Sequence, residues 1–532
     1  MLNNFFEKHI NEMKSIYISV IFLIPAFLVS CIDLNSKNNK LKVSKNLKSP
    51  NIIFILTDDQ GWNHVSHHSD PKIPDSKSDY FETPNMDLFA ESGLRFSHGY
   101  APNPICAPTR NSIIFGQNAA RHIYNKDINW IDKTDEKLTI PKVIKMANSD
   151  YKTAHFGKWH VAMHPESAGY DAHDGLTGNE EGQVFKSELI NARLYNKVTD
   201  KLLEATKAPN PLNLSQNSKP TMYWNDDNPK DIFGITNSGI KFMDESIIQG
   251  KPFYLQLSHY APHLSFSAKK RSYEYFKKKV KGKVHESAEF GAMLFDLDKS
   301  IGMVMDFVKD RGISENTYIF FMSDNGGRGS LGKIAIMDSN KEVIDAFYPT
   351  TNKRNTPLRD GKHSFYEGGL RVPFMVLGPN IKQGKVSEVP VTGLDLLPTF
   401  YQLAGGKNNL KNLDGGSLVN LILNKSDRIS RPKEVLIFHQ GSHRKPASAI
   451  IKNQYKLIKY WDKDLKYIGT PRVELYNIYE DPFENNDLID SNKEIADKLL
   501  AELLVSLDEY GGITEKTSIE SGVNRVLSAI SN

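Results

Sequence analysis

Three nearly unbroken apolar runs constrain this chain most: residues 51–56 (Asn-Ile-Ile-Phe-Ile-Leu), 252–257 (Pro-Phe-Tyr-Leu-Gln-Leu) and 317–322 (Thr-Tyr-Ile-Phe-Phe-Met). A strand with one wet face alternates polar and apolar positions. A strand apolar on both sides must be covered on both faces, as parallel strands are in α/β proteins. Each run stops abruptly in polar residues: Thr57-Asp58-Asp59-Gln60-Gly61, Ser258-His259-Tyr260-Ala261-Pro262-His263, and Ser323-Asp324-Asn325-Gly326-Gly327. The carboxyl ends of such strands are where open α/β sheets bind ligands. Taken alone, the Asp-Asp-Gln-Gly segment is equally well explained as a surface turn.

Helical spacing fills the intervals: residues 83–96 (Met86, Leu88, Phe89, Leu94, with Gly93 as a stop), 139–148, 240–248 and 286–308. The methionine and aromatic stripe of the last of these (Phe290, Met293, Leu297, Ile301, Met305) reads as core packing. Residues 152–156 form a short strand that delivers Gly157-Lys158-Trp159-His160, and on an extended segment Lys158 and His160 face the same way. Without further context such a pair is an exposed lysine beside a structural histidine. Residues 171–230 are rich in Gly, Pro and polar side chains and read as an elaborated loop region. The alternation predicts a doubly wound α/β domain over 49–425. Strand-like runs at 435–439, 448–451, 455–461 and 474–476, then a helical stretch at 493–510, predict a smaller C-terminal antiparallel sheet-plus-helix subdomain over 426–532.

The uncharged apolar run 16–30 is too short to span a bilayer comfortably and suits a signal-peptide core. Leu28-Val29-Ser30-Cys31 resembles the bacterial lipobox, in which the cysteine is acylated. Residues 1–31 are therefore expected to be a lipoprotein signal, with Met13-Lys14-Ser15 suiting its basic start better than Glu7 and Glu12 do. The Asn-, Lys- and Ser-rich stretch 32–48 is expected to be a flexible tether. This predicts an exported protein, lipid-anchored through Cys31 in the periplasm or on the cell surface. A net charge of only +4 argues against nucleic acid as a partner. The second of two cysteines, Cys106, then has no disulfide partner in the chain.

Cys106 sits in Cys106-Ala107-Pro108-Thr109-Arg110, where Pro108 suits a first helical turn and Arg110, four residues on, shares the face of the cysteine. An isolated cysteine is more often a small buried hydrophobe. The strand ends supply three carboxylates, Asp58, Asp59 and Asp324, and the amide oxygen of Asn325. These hard oxygen donors favour Ca²⁺ or Mg²⁺ over zinc. Arg110, Lys158, His160, His263 and Lys362 add cations able to hold a tetrahedral oxyanion.

The chain resembles the type I sulfatases of the alkaline phosphatase superfamily. The residues that carry the resemblance occur in the family's order: Asp58-Asp59, the C-x-P-x-R signature at 106–110, Gly157-Lys158-Trp159-His160, Ala261-Pro262-His263, Ser323-Asp324-Asn325-Gly326-Gly327, then Arg359-x-Gly361-Lys362 and Tyr366-Glu367-Gly368-Gly369. It implies an alkaline-phosphatase-like α/β fold with a large mixed, mostly parallel sheet flanked by helices, a sulfuric ester hydrolase, and a maturase that oxidises Cys106 to formylglycine. Metal ligands would be Asp58, Asp59, Asp324, Asn325 and the converted Cys106. One hydroxyl of the aldehyde hydrate, aided by Arg110, would attack sulfur and the other would expel sulfate. His263, helped by Lys362, would protonate the leaving oxygen; His160 would take the proton of the hydrate and Lys158 would bridge nucleophile and sulfate. Two departures stand out: Phe115-Gly116-Gln117 replaces the usual Thr-Gly-Arg, and Asp360-Gly361-Lys362 the usual Gly-Gly-Lys. Export and the elaborated 171–230 region make sulfated carbohydrate the expected substrate; Tyr223, Trp224, Tyr460 and Trp461 could stack on sugars, with packing the more usual role for most of them. The alternatives are a phosphonate or phosphate ester hydrolase of the same superfamily and a non-catalytic glycan-binding lipoprotein.

Overall fold

The computed structural model describes residues 49–122, 137–161, 163–179, 181, 221–328, 334–337, 343–347, 355–407, 409–440, 446–461 and 472–511. The expected signal at 1–31 and tether at 32–48 lie outside them. The central sheet has eight strands, here β1 (Asn51–Thr57), β2 (Leu94–Phe96), β3 (Lys152–Gly157), β4 (Ala172–His173), β5 (Phe253–Ser258), β6 (Thr317–Ser323), β7 (Phe374–Leu377) and β8 (Lys385–Ser387). Their order across the sheet is β8-β2-β7-β6-β1-β5-β3-β4. β1 lies at the centre, parallel to β5 and β6 with Ile53 opposite Leu255 and Ile319. Only β7 runs against its neighbours β6 and β2, so the sheet is mixed and mostly parallel, as expected.

Two separate cores explain the unbroken apolar runs. Ile53, Ile55, Leu255, Leu257, Ile319 and Phe321 pack under helices α1 (Pro84–Ser92), α4 (Ile232–Ile248) and α5 (Ala288–Asp310). Their neighbours in the pleat, Ile52, Phe54, Leu56, Tyr254, Phe320 and Met322, pack under α2 (Cys106–Phe115), α3 (Ile140–Ala147) and α6 (Leu396–Leu403). Burying each such side chain contributes roughly 1.5–3 kcal/mol before entropy is counted, which makes the strand ends rigid supports.

Three expectations need correction. Residues 94–96 are not the tail of a helix: α1 ends at Ser92, and Leu94–Phe96 is β2, which sits between β7 and β8. Helical periodicity was mimicked there by a strand whose alternate residues Leu94 and Phe96 are buried. Residues 171–230 are not merely loop, because Ala172–His173 extends the central sheet and Thr221–Trp224 pairs with Phe266–Ala268 and Ile334–Met337 in a second, four-stranded sheet. The helix expected at 240–248 begins at Ile232, eight residues earlier.

Beyond the central domain, β9 (Leu436–Gln440), β10 (Ala447–Lys452), β11 (Tyr455–Tyr460) and β12 (Val473–Asn477) form an antiparallel meander. One face packs on helix α7 (Lys493–Glu509) through Leu499, Leu503 and Leu507, and the other packs Phe438, Ile458 and Tyr476 against Tyr100, Phe365 and Leu370 of the large domain. Lys456 reaches across this second face. Its Nζ lies 3.0 Å from Glu367 and 2.8 Å from Glu484, all three side chains being sealed from solvent.

Candidate active site

The ends of β1 and β6 lie side by side, so the carboxylates they deliver meet. Asp59 takes a left-handed backbone conformation (φ 60°), and its N–H donates to Asp324 Oδ1 at 3.1 Å. Asp324 N–H in turn donates to Thr57 O. Asn325 Nδ2 donates to Asp59 Oδ1 at 2.7 Å. The glycines after Asn325 are required by close approach: a Cβ on Gly326 would stand 1.9 Å from Gly368 O. That contact and the Gly326 N–H bond to Gly369 O bring the 359–371 segment over the strand ends.

Cys106 is the first residue of α2, as its motif predicts. Thr109 secures the approach, its hydroxyl donating to Asn103 O, while Asn103 Nδ2 donates to His439 O in β9. One turn along, Arg110 donates from Nε and Nη2 to Asp324 Oδ2 at 3.0 and 2.8 Å and from Nη1 to Lys158 O at 2.7 Å. Lys158, fully buried, donates to Asp58 Oδ2 at 2.5 Å and to Asn179 Oδ1 at 2.8 Å. Lys362 Nζ lies 2.7 Å from Asp59 Oδ1 and 3.3 Å from Cys106 Sγ. His263 Nε2 is 3.7 Å from Asp59 Oδ2.

The residues expected to hold the metal or act in catalysis therefore meet in one cluster, with His160 at its edge among Lys158, Arg110, Asp58 and Lys362. The reason given for the Lys158 and His160 pair fails. His160 has φ 51°, so the segment turns there and the two side chains do not converge by strand alternation. Asn179 was missed: it stands in a polar loop, and only the fold reveals its bond to Lys158. Two other histidines are structural: His155 bonds Ser258 and packs edge-on against Trp159, and His164 packs against His173. Trp224 packs on Tyr273 and Trp461 donates to Ser448 Oγ, so both serve packing. Tyr223's side chain lies outside the described residues.

The electrostatics follow from crowding. Burial pushes Asp58 and Asp59 up, but Lys158, His263 and Arg110 for the first, and Lys362 and His263 for the second, outweigh it and hold both below the usual carboxylate range. Asp324 is different: burial and repulsion from Asp58 push it up to about 6 despite Arg110 and Lys158. Burial, then Lys158 and Arg110, drives His160 well below the usual imidazole value, leaving it neutral. Lys362 remains charged, since Asp59 and Cys106 outweigh its burial. Burial pushes the Cys106 thiol up to about 11, against the pull of Lys158 and Lys362, so the sulfur is protonated at neutral pH.

The donor set tests the fit of a cation. Atoms of Asp58, Asp59 and Cys106 lie within 4.8 Å of one another. Asp58 Oδ1 and Asn325 Oδ1 are buried without a hydrogen-bond partner among the described residues. Leaving such oxygens bare is costly, and a hard divalent cation would satisfy them. The one misfit is the soft, protonated sulfur of Cys106.

Comparison with known proteins agrees with this geometry. The family model described as Sulfatase matches residues 50–406, and that described as N-sulphoglucosamine sulphohydrolase, C-terminal, matches 360–509. The chain belongs to the sulfatase family. It is 26% identical to a protein named Sulfatase from Formosa agariphila over 91% of each chain. It is also 26% identical to N-acetylgalactosamine-6-sulfatase of Mus musculus, covering 76% of this chain and 71% of that one. Among solved structures, Ps i-CgsB in complex with k-i-k-neocarrahexaose superposes with a TM-score of 0.64 at 25% identity, over 90% of this chain and 98% of the other.

Proposed function

We propose that this sulfatase removes sulfate from sulfated carbohydrates, using an aldehyde made from Cys106 and a calcium ion, with magnesium as the alternative, held by Asp58, Asp59, Asp324 and Asn325. The observation that carries the reading is the mismatch at position 106. A buried thiol with its pKa near 11 is neither a good nucleophile nor a ligand for a cation that prefers oxygen, and conversion to formylglycine replaces sulfur by oxygen at that point. The bound cation would withdraw charge from the sulfuryl oxygens, and the aldehyde hydrate would supply geminal hydroxyls.

The protein's own groups do the rest. Arg110 clamps Asp324 and fixes the carboxylate that faces the helix start. Lys158, against Asp58, and Lys362, against Asp59 and Cys106, offer N–H donors to the sulfate. His263, against Asp59, is placed to give a proton to the leaving oxygen, and neutral His160 to take one from the residue at 106. Asp58, Asp59 and Asp324 balance Arg110, Lys158 and Lys362, so a divalent cation would leave the bay two charges positive. That excess suits the anionic sulfate ester and the further negative charge that develops as sulfate is released.

The carbohydrate assignment rests on N-acetylgalactosamine-6-sulfatase and on the oligosaccharide complex of Ps i-CgsB. Its test is sulfate release from a panel of carrageenan and 6-O-sulfated galactosamine mono-, di- and tetrasaccharides, beside aryl sulfate, aryl phosphate and aryl phosphonate esters. Release from at least one sugar is expected, and faster turnover of the phosphonate than of every sulfate would overturn the reading. We further propose export with lipid on Cys31 and action of a maturase on Cys106. Incorporation of labelled palmitate that is lost in Cys31→Ala is the expected result.

A further inference from the structure

A pocket of about 440 Å³ is lined by residues that flank Lys362 in the chain. Its lining includes Arg359, Asp360, His363 and Tyr366 from the segment that carries Lys362, and Tyr460 and Arg472 from the C-terminal meander. This volume is within the ~300–1,000 Å³ usual for small-molecule sites. Its walls are held in place. Glu474, buried beneath, accepts from Tyr366 Oη at 2.7 Å and pairs with Arg472, whose guanidinium stands 5.1 Å from the centre of the Tyr460 ring. Arg359 lies 3.9 Å over the Tyr366 ring and donates to Tyr476 Oη and Glu484 O.

Asp360 is the informative residue. It adopts φ 57°, a conformation glycine takes without cost and other residues pay roughly 1–2 kcal/mol to enter, although Asp tolerates it better than most. Its carbonyl accepts from Asn355 Nδ2 at 2.9 Å, which holds the turn, while its side chain is exposed and makes no hydrogen bond within the described residues. An unpartnered carboxylate held at the rim of a pocket, two residues from Lys362, is available to a ligand. A carboxylate there would repel a sulfate group but accept hydrogen bonds from hydroxyls. Arg472, largely exposed, offers donors on the other side.

We propose that this pocket is a subsite for the sugar unit next to the one that carries the scissile sulfate, with Asp360 accepting from its hydroxyls, Arg472 donating to its oxygens and Tyr460 bordering its ring. The enzyme then acts on oligosaccharides in preference to monosaccharides. The inference rests on the carbohydrate reading above. Its test uses full-length, converted enzyme and the panel sugar desulfated fastest, comparing kcat/KM on the tetrasaccharide with kcat/KM on 4-nitrophenyl sulfate. In Asp360→Gly, and separately in Arg472→Ala, that ratio should fall about tenfold, the size of one charge-assisted hydrogen bond, mostly through KM on the sugar. Asp360→Gly also relieves the backbone, so its melting temperature should not drop. An unchanged ratio in both variants, or equal efficiency on mono- and tetrasaccharide, would overturn the subsite while leaving the carbohydrate reading intact. Turnover of 4-nitrophenyl sulfate with no release from any panel sugar would sink that reading, and the subsite with it.

Discussion

Two clusters of buried charge lie close together in this protein and have opposite fates. In the first, Lys456 and Arg371 sit among Glu367 and Glu484 with every one of these side chains sealed, and the cation that neutralises the acids comes from the chain itself. Glu484 Oε1 and Arg371 Nη1, though without hydrogen bonds, each face an opposite charge at 2.8 and 3.6 Å, whereas in the second cluster three acids face three bases, yet Asp58 Oδ1 and Asn325 Oδ1 have neither a hydrogen-bond nor an ion-pair partner among the described residues. The first cluster fastens the C-terminal meander to the large domain. The second leaves coordination to be completed from outside. A buried ion pair supplied from within is weak evidence for anything but position, whereas bare buried oxygens beside a protonated thiol imply a ligand and a modification.

Substitutions can break that contrast. Cys106→Ala should lower kcat/KM by at least ~10⁴-fold, as expected for loss of a nucleophile, with little change in melting temperature. Lys456→Met should do the reverse. It leaves Glu367 and Glu484 buried together without their shared cation, at a cost of about 3–5 kcal/mol in urea unfolding, while kcat per folded molecule stays near wild type. His263→Ala should reduce turnover on the order of 10²-fold, with the deficit shrinking as the leaving alcohol becomes more acidic. An equal deficit for 4-nitrophenyl sulfate and for a sugar sulfate would remove His263 from the acid role.

The smallest effect is a dependence on pH. Asp324, pushed up to about 6 by burial and Asp58, binds its proton more tightly folded than unfolded. Metal-free protein should therefore gain stability as pH falls through 6 toward 4. Glu484, pushed up to about 7 by burial, acts in the same direction in the sealed cluster. Calcium should abolish only the Asp324 part, so melting curves with and without it, at pH 7 and pH 5, separate the two clusters. A calcium effect of the same size at both pH values would contradict the assignment of Asp324 as a ligand.

How much of this was legible in the sequence depended on whether local pattern and fold told the same story. Asp58, Asp59, Asp324 and Asn325 were legible because apolar runs as continuous as 51–56 and 317–322 have to be central strands, and central parallel strands bring their ends together. Cys106 and Arg110 were legible because one helical turn joins them. Lys158 and His160 were placed in the site by the Gly-Lys-Trp-His motif, and the separate argument that strand alternation faces them the same way fails at the turn at His160. Residues 94–96 misled because an apolar pair after a helix fits either period. Asn179 and Arg472 were not legible as site residues, one standing in a polar loop and the other at a strand edge, while Asp360 was legible only as a departure beside Lys362, either a substrate contact or an ordinary loop acid, its left-handed backbone being visible in the fold alone.

The central claim is that Cys106 works only after it ceases to be a cysteine. The direct measurement is the mass of the peptide that carries residue 106, taken from active protein and set against activity across preparations with differing maturase levels. The account predicts an aldehyde at that position and activity proportional to the converted fraction. Full activity in protein whose Cys106 peptide retains an intact thiol would contradict it.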